Sequence, residues 1–250
     1  MSLAFVKKTY EKFGRDDPLY AVLSRKECRH NRWDTDEFFE TGRAQIRDLL
    51  DYTNRLGLQV DSSRALDFGC GVGRLSQALA GHFEEVAGVD IAESMVAKAR
   101  QFNRHGSRVS YVVNSTDDLS CFEDGAFSFV YSVITLQHIP PGPAARYIGE
   151  FFRVLRAGGI AVFQIPSGRR YRPGSLSALA YRLRRQYLRR LWKIVRGRPP
   201  VEIHYIARED VQRMIDSRGG QLVDVTCWPD PAKLKPNFRY CAVKLSKTSR

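Results

Sequence analysis

The sequence predicts an α/β chain built on a doubly wound, seven-stranded, mostly parallel sheet with an antiparallel last strand. Three observations predict it. From Arg64 onwards, short runs rich in Val, Ile and Phe alternate with helical patterns, as strands joined by crossover helices do. A glycine turn, Gly69-Cys70-Gly71-Val72-Gly73, separates the first strand from the first of those helices. The last two strand patterns are joined only by a Pro- and Lys-containing loop, Trp228–Asn237. A parallel return needs a crossover of about a dozen residues or more, so these two strands must be antiparallel.

Taken in order, residues 1–60 read as a helical amino-terminal cap. Asp34 is placed to start a helix, with Glu37 three residues on, the spacing of a capping box. Phe39, Gly42, Ile46, Leu49, Leu50 and Thr53 then recur on one helical face. Residues 61–166 form the core, with strands expected at Arg64–Asp67, Glu85–Asp90, Val109–Asn114, Phe127–Ser132 and Ile160–Ile165. Helices are expected at Arg74–Gly81 and Glu93–Phe102. Residues 167–200 read as a basic helical insertion, a lid, after the fifth strand. Residues 201–250 return to the sheet through strands at Gln221–Cys227 and Tyr240–Leu245.

The formal charge of +13 suggests a nucleic-acid partner until it is mapped. Ser167 to Pro200 holds eleven Arg and Lys residues and no acid, which leaves +2 for everything else. Within it Leu176, Leu179, Leu183, Tyr187, Leu191 and Ile194 recur at helical spacing, with arginines opposite. Three readings of Arg169–Arg198 stay open: a packed, solvated helix, a lid or membrane-surface helix facing an anionic acceptor, and a phosphate track for RNA. Nucleic acid ranks last because no further RNA-binding module is visible. The start, MSLAFVKKTYEKFG, carries no apolar run of signal-peptide length, and no stretch nears the roughly 18 apolar residues of a membrane span. The expected compartment is the cytoplasm, with peripheral membrane contact left open. Cys28, Cys70, Cys121, Cys227 and Cys241 are scattered and form no C-x-x-C pair, which argues against disulfides and a structural zinc. Glu202 and His204 alone make no metal site, so no metal is expected.

The glycine turn carries the chemistry. Three alternate glycines let the backbone turn tightly and come close to a ligand. In the dinucleotide fingerprint G-x-G-x-x-G the pyrophosphate sits at the helix start. Here the third glycine, Gly73, comes one residue early, and the strand delivers Asp67 just before the loop. A carboxylate there matches a pyrophosphate poorly and suits a ligand carrying a cation. It also suits a plain loop-capping role. Asp90 ends the second strand, where an acid accepts both hydroxyls of a ribose, and Ile91 is placed to cover an adenine face. After the third strand, Asp117 or Asp118 is placed to accept an adenine amino group.

Asp67-Phe68-Gly69-Cys70-Gly71-Val72-Gly73, then Gly88-Val89-Asp90-Ile91, then the acid pair after strand three, resemble the class I S-adenosylmethionine-dependent methyltransferases, of the type 11/12-like small-molecule kind. Phe127–Ser132 with Leu136-Gln137-His138-Ile139 resembles that family's fourth strand and its exit. Arg153-Val154-Leu155-Arg156-Ala157-Gly158-Gly159 resembles its turn before strand five. The resemblance covers roughly residues 60–166 and 203–246. It implies S-adenosyl-L-methionine as cofactor, with Asp67 near the methionine amino group, Gly69 and Gly71 in backbone contact, Asp90 on the ribose and Asp117 facing the adenine. Arg43, on the helix ahead of the sheet, is then placed to pair with the donor carboxylate, since Arg offers a planar bidentate match. Ser128 departs from the family's usual aspartate at a position expected to hydrogen-bond locally.

The motifs say little about the acceptor. His138, just past strand four at the ligand-binding edge of such sheets, is the expected proton acceptor, with a loop-holding hydrogen bond as the alternative. His204 and Tyr205 are expected to line the acceptor pocket. The preferred function is methyl transfer to a small-molecule acceptor, most readily an oxygen. The alternatives are an RNA methyltransferase using Arg169–Arg198 and a non-catalytic ligand-binding relative.

Overall fold

The computed structural model describes residues 2–167, 201–228 and 236–246. Apart from Ser167, the basic insertion lies outside the described residues, and so do the lid, membrane and RNA readings that rest on it.

The seven strands are β1 (Arg64–Phe68), β2 (Glu85–Asp90), β3 (Val109–Val113), β4 (Phe127–Ser132), β5 (Leu155–Pro166), β6 (Gly220–Trp228) and β7 (Asn237–Lys244). They form one sheet in the order β3-β2-β1-β4-β5-β7-β6. Strands β1 to β5 pair in parallel, while β7 runs antiparallel to both β5 and β6. The order reverses between β1 and β4, and the crevice at such a reversal is where open α/β sheets bind ligands.

Both faces of the sheet are covered. Helices α3 (Thr35–Arg55), α4 (Arg74–Leu79) and α5 (Glu93–Phe102) lie on one side, and α6 (Pro141–Val154) and α7 (Arg208–Ser217) on the other. The strands therefore bury residues on both faces, and β4 is buried throughout, as continuous apolar runs dictate. Helix α3 begins where its cap residue requires: Asp34 Oδ1 accepts the Glu37 N–H at 2.8 Å. The reciprocal half of the capping box does not form, because the Glu37 carboxylate pairs with Arg25 at 2.9 Å. Ser128 hydrogen-bonds locally. Its hydroxyl receives the Arg64 N–H at 3.2 Å and lies 2.8 Å from the Asp61 carbonyl and 2.9 Å from that of Arg64, fastening the entry of β1 to β4.

The amino-terminal helices α1 (Leu3–Asp16) and α2 (Pro18–Val22) pack over the ligand edge of the sheet. Trp33, Phe38 and Phe39 form a third apolar cluster with Val72 and Met95, flanked by Tyr10, Phe13 and Tyr20. Helix α1 is moored by one carboxylate. Glu11 accepts the N–H groups of Glu93 at 2.6 Å and Ser94 at 3.1 Å, two of the unpaired donors at the start of α5. Gly14 makes the close approach possible, since a Cβ there would stand 2.3 Å from Ser94 Oγ.

Candidate functional site

A cleft of about 1010 Å³, partly open to solvent, lies at the reversal between β1 and β4. Its floor is the glycine turn. Gly69, Gly71 and Gly73 have φ of +79°, +53° and +82°, a region that side-chain-bearing residues rarely adopt. A Cβ on Gly69 would stand 2.2 Å from Thr135, and one on Gly71 2.7 Å from Val22. The turn is thus fixed both by conformation and by the walls pressed against it.

Asp90 closes one end. Its Oδ2 accepts the Gly71 N–H at 3.0 Å and its Oδ1 the Ala92 N–H at 2.9 Å, so the carboxylate joins the end of β2 to the glycine turn. Each oxygen keeps a further lone pair. Burial raises its pKa against the pull of those hydrogen bonds. Beside it Val89, Ile91 and Met95 give an apolar wall. Tyr10 comes down from α1, where burial and the Asp90 charge push its hydroxyl pKa up.

Gly69, Gly71, Asp90, Ile91 and His138 all line this one cleft. Asp67 does not. It is 2% exposed and turns to the α4 side of the sheet, where its Oδ2 accepts the Ser76 hydroxyl at 2.6 Å. The period of two in the strand explains this: Phe68 faces the cleft, so Asp67 must face away. Burial pushes its pKa up to about 6.

Arg43 is also outside the cleft. It pairs with Glu40 at 2.6 Å on the half-exposed face of α3, because the neighbouring Gly42 is the residue that packs on α4. The arginine in the cleft wall is Arg74. It is 4% exposed and donates to Gln45 Oε1 at 2.8 Å and Thr41 Oγ1 at 3.3 Å. Its Nε has no partner among the described residues. Asp117 points to the surface in an ion pair with Arg146, and Asp118 is occupied by Thr116 and Ser120. From this loop it is Asn114 that reaches the cleft, with its Nδ2 donating to the Asp118 carbonyl at 2.6 Å.

At the other end, β4 runs into Val133, Ile134, Thr135 and a short 3₁₀ turn, Leu136–His138. His138 Nδ1 lies 3.1 Å from the Glu202 carbonyl and Nε2 3.0 Å from Gln137 Nε2. Burial lowers its pKa to about 4, so the ring is neutral near pH 7 and both nitrogens are engaged. His204 and Tyr205 do not line the cleft. The His204 N–H donates to the Gln137 carbonyl at 2.7 Å and braces the turn from behind. Leu3, Val6, Ile139 and Tyr147 make this end apolar. Among the described residues no group of three or more His, Cys, Asp or Glu side chains is placed to hold a metal ion.

The fit of this cleft to a cationic, ribose-bearing ligand can be judged from its charges. Two buried acids, Asp67 behind the glycine turn and Asp90 in the cleft, both have pKa values raised chiefly by desolvation, a cost that a nearby positive charge offsets. A cation bound beside the glycine turn relieves it.

Residues 65–159 match the model of a family described as a methyltransferase domain. With the sheet order and the glycine turn, this identifies the class I, Rossmann-like methyltransferase fold. The chain is 35% identical over 111 residues to a ubiquinone biosynthesis O-methyltransferase of Xanthomonas oryzae pv. oryzae, covering 44% of this chain and 45% of that one. It is 31% identical over 139 residues to the protein of the same name from Aromatoleum aromaticum, covering 55% and 58%. The matched segments thus span about half the length of these relatives. Among solved structures, the magnesium protoporphyrin IX methyltransferase from Synechocystis PCC 6803 with bound SAH superposes with a TM-score of 0.63. It is 17% identical, over 96% of this chain and 99% of that chain. At that identity the likeness concerns the fold.

Proposed function

We propose that this protein transfers the methyl group of S-adenosyl-L-methionine to a small-molecule acceptor, most readily at an oxygen. The observation that carries the reading is the joining of Asp90 to the glycine turn through Gly71, which sets an acid for a ribose beside a backbone open to the rest of a nucleoside. The names of the relatives, O-methyltransferases among them, support the same class of chemistry.

The donor, when bound, supplies an activated methyl group on a sulfonium. The residues here do the rest. Asp90 takes the ribose hydroxyls on its free lone pairs, and Ile91 and Met95 cover the base. Asp67 acts from behind the turn, orienting α4 through Ser76 and adding negative potential. Arg74 is the cleft's own partner for a carboxylate. Tyr10 and α1 close the cleft from above and exclude water, which favours an in-line transfer between aligned groups. His138, neutral and engaged at both nitrogens, has no ring lone pair left for a hydroxyl and suits holding this end of the cleft through its two hydrogen bonds.

The test is a radiolabelled methyl-transfer assay with a panel of hydroxylated small molecules and structured RNA, together with calorimetry on S-adenosylhomocysteine. No binding of S-adenosylhomocysteine overturns the reading. Label found only in RNA moves the acceptor to the RNA alternative.

A further inference from the structure

A line of side-chain amides lies behind the apolar end of the cleft. Gln164 on β5 is 1% exposed. Its Oε1 accepts the Ile134 N–H at 2.7 Å. Its Nε2 donates to Asn237 Oδ1 and, at 3.4 Å, to Gln137 Oε1. Gln137 Nε2 then meets His138 Nε2, and His138 Nδ1 meets the Glu202 carbonyl.

Both ends of this line are backbone groups of fixed polarity. The Ile134 N–H can only donate, so Gln164 must present its oxygen there and its amide hydrogens to Gln137. Gln137 must then use its oxygen toward Gln164 and its nitrogen toward His138, leaving His138 Nε2 as an acceptor. From the other end, the Glu202 carbonyl can only accept, so His138 Nδ1 carries the hydrogen. The two derivations agree on one tautomer. Ile134 itself has φ of +59°, an outlier for a β-branched residue, and such strain persists only where the surroundings impose it.

We propose that Gln164 is a positioning residue for this end of the cleft, setting the polarity of a relay that holds Ile134 left-handed and His138 as its Nδ1–H tautomer. Calling this the acceptor end rests on the methyl-transfer reading; the relay itself does not. Burial of the ring favours the same neutral form. The groups around it are Tyr10, with ring centroids 5.9 Å away, the Glu202 carbonyl and His204, whose charged form would oppose protonation.

The experiment uses the full chain labelled with ¹⁵N-histidine. Its His138 resonances are assigned by difference from His138→Gln and followed by long-range ¹H–¹⁵N correlation across pH. The parent should show a protonated Nδ1 and a bare, hydrogen-bonded Nε2 at neutral pH. In Gln164→Glu the side chain, once ionised at raised pH, still accepts the Ile134 N–H but offers Gln137 no donor. Gln137 then turns over, its oxygen faces His138 Nε2, and Nε2 loses its donor, so its resonance moves as the introduced carboxyl ionises. A residue that only fills space would leave the ring unchanged. If Gln164→Glu does not fold, Gln137→Met removes the donor to Nε2, whose resonance should then move to that of a free lone pair. S-adenosylhomocysteine affinity, read at the other end of the cleft, should stay within about twofold in folded Gln164→Glu and Gln137→Met. A parent ring protonated on Nε2, a folded Gln164→Glu whose His138 spectrum matches the parent's at every pH, or a folded Gln137→Met with Nε2 unmoved overturns the proposal. Loss of S-adenosylhomocysteine binding in the parent would instead tell against the methyl-transfer reading.

Discussion

Ser76 on α4 donates its hydroxyl to Asp67 on β1 across 2.6 Å, and the carboxylate so held is 2% exposed. The pair ties the helix after the glycine turn to the strand before it. It also leaves a charge in a place that disfavours it.

The pH dependence follows from that burial. The unfolded chain releases the Asp67 proton near 3.8 and the folded chain near 6. Between these values the folded state binds more protons, so the residue's contribution to stability falls as pH rises through the window and is level above it. Asp67→Asn should match the parent near pH 4 and be more stable above pH 6 by about 1–3 kcal/mol. Urea denaturation of both proteins from pH 4 to 7 measures this. A loss at pH 7 would mean that Arg74 depends on the charge more than the carboxylate suffers from burial.

Asp90→Ala should weaken S-adenosylhomocysteine binding by about tenfold or more, since a charged hydrogen bond contributes on the order of 1.5–3 kcal/mol. Part of that loss comes through Gly71, whose N–H loses its acceptor. Calorimetry decides it; affinity equal to the parent's would remove Asp90 from the site.

Ile134→Gly should stabilise the protein. A left-handed conformation costs an L residue about 1–2 kcal/mol, and the side chain is already 43% exposed. The added freedom of the unfolded chain returns roughly 0.5–1 kcal/mol, leaving a gain of up to about 1.5 kcal/mol. A fall in thermal midpoint would show that the Ile134 side chain supports the turn.

Glu11→Ala should loosen α1 without unfolding the sheet, at a cost of about 0.5–2 kcal/mol for the lost cap on α5. Amide exchange should quicken across 3–16 and at the start of α5 and stay unchanged in β1 and β4. Faster exchange everywhere would mean that α1 is part of the cooperative core.

Most of the sheet was legible in the sequence because each strand is a local apolar run bounded by its own turn. Glu85–Asp90 and Phe127–Ser132 fall where expected, and so does the helix Glu93–Phe102. Strand β5 starts earlier, at Leu155, because it resumes pairing across a register shift at 156–159, where Gly158 has φ of +76°. The glycine turn, Asp90 and Ile91 are set by adjacent residues and could be placed on one edge. Arg43 and Asp117 could not, because whether a helix or loop side chain faces a cleft depends on what its neighbours pack against. The seating of Gly42 against α4 and of Arg146 beside Asp117 is known only once the chain is folded. Helix α1 falls within the helical cap expected over 1–60, but its mooring by Glu11 carried no signal, nor did Gln164, a polar residue in a strand whose partners lie up to 73 positions away.

The strand order reverses between β1 and β4, so the two ends of the cleft are written in different stretches of the chain. Residues 69–114 shape the Asp90 end, and residues 133–139, backed by β5 and 202–206, shape the His138 end. Apart from Thr135, which presses on Gly69, substitutions in the second stretch can redraw one end while the backbone of the first stays put. On the methyl-transfer reading, a chain laid out this way holds its donor with one stretch and meets its acceptor with another.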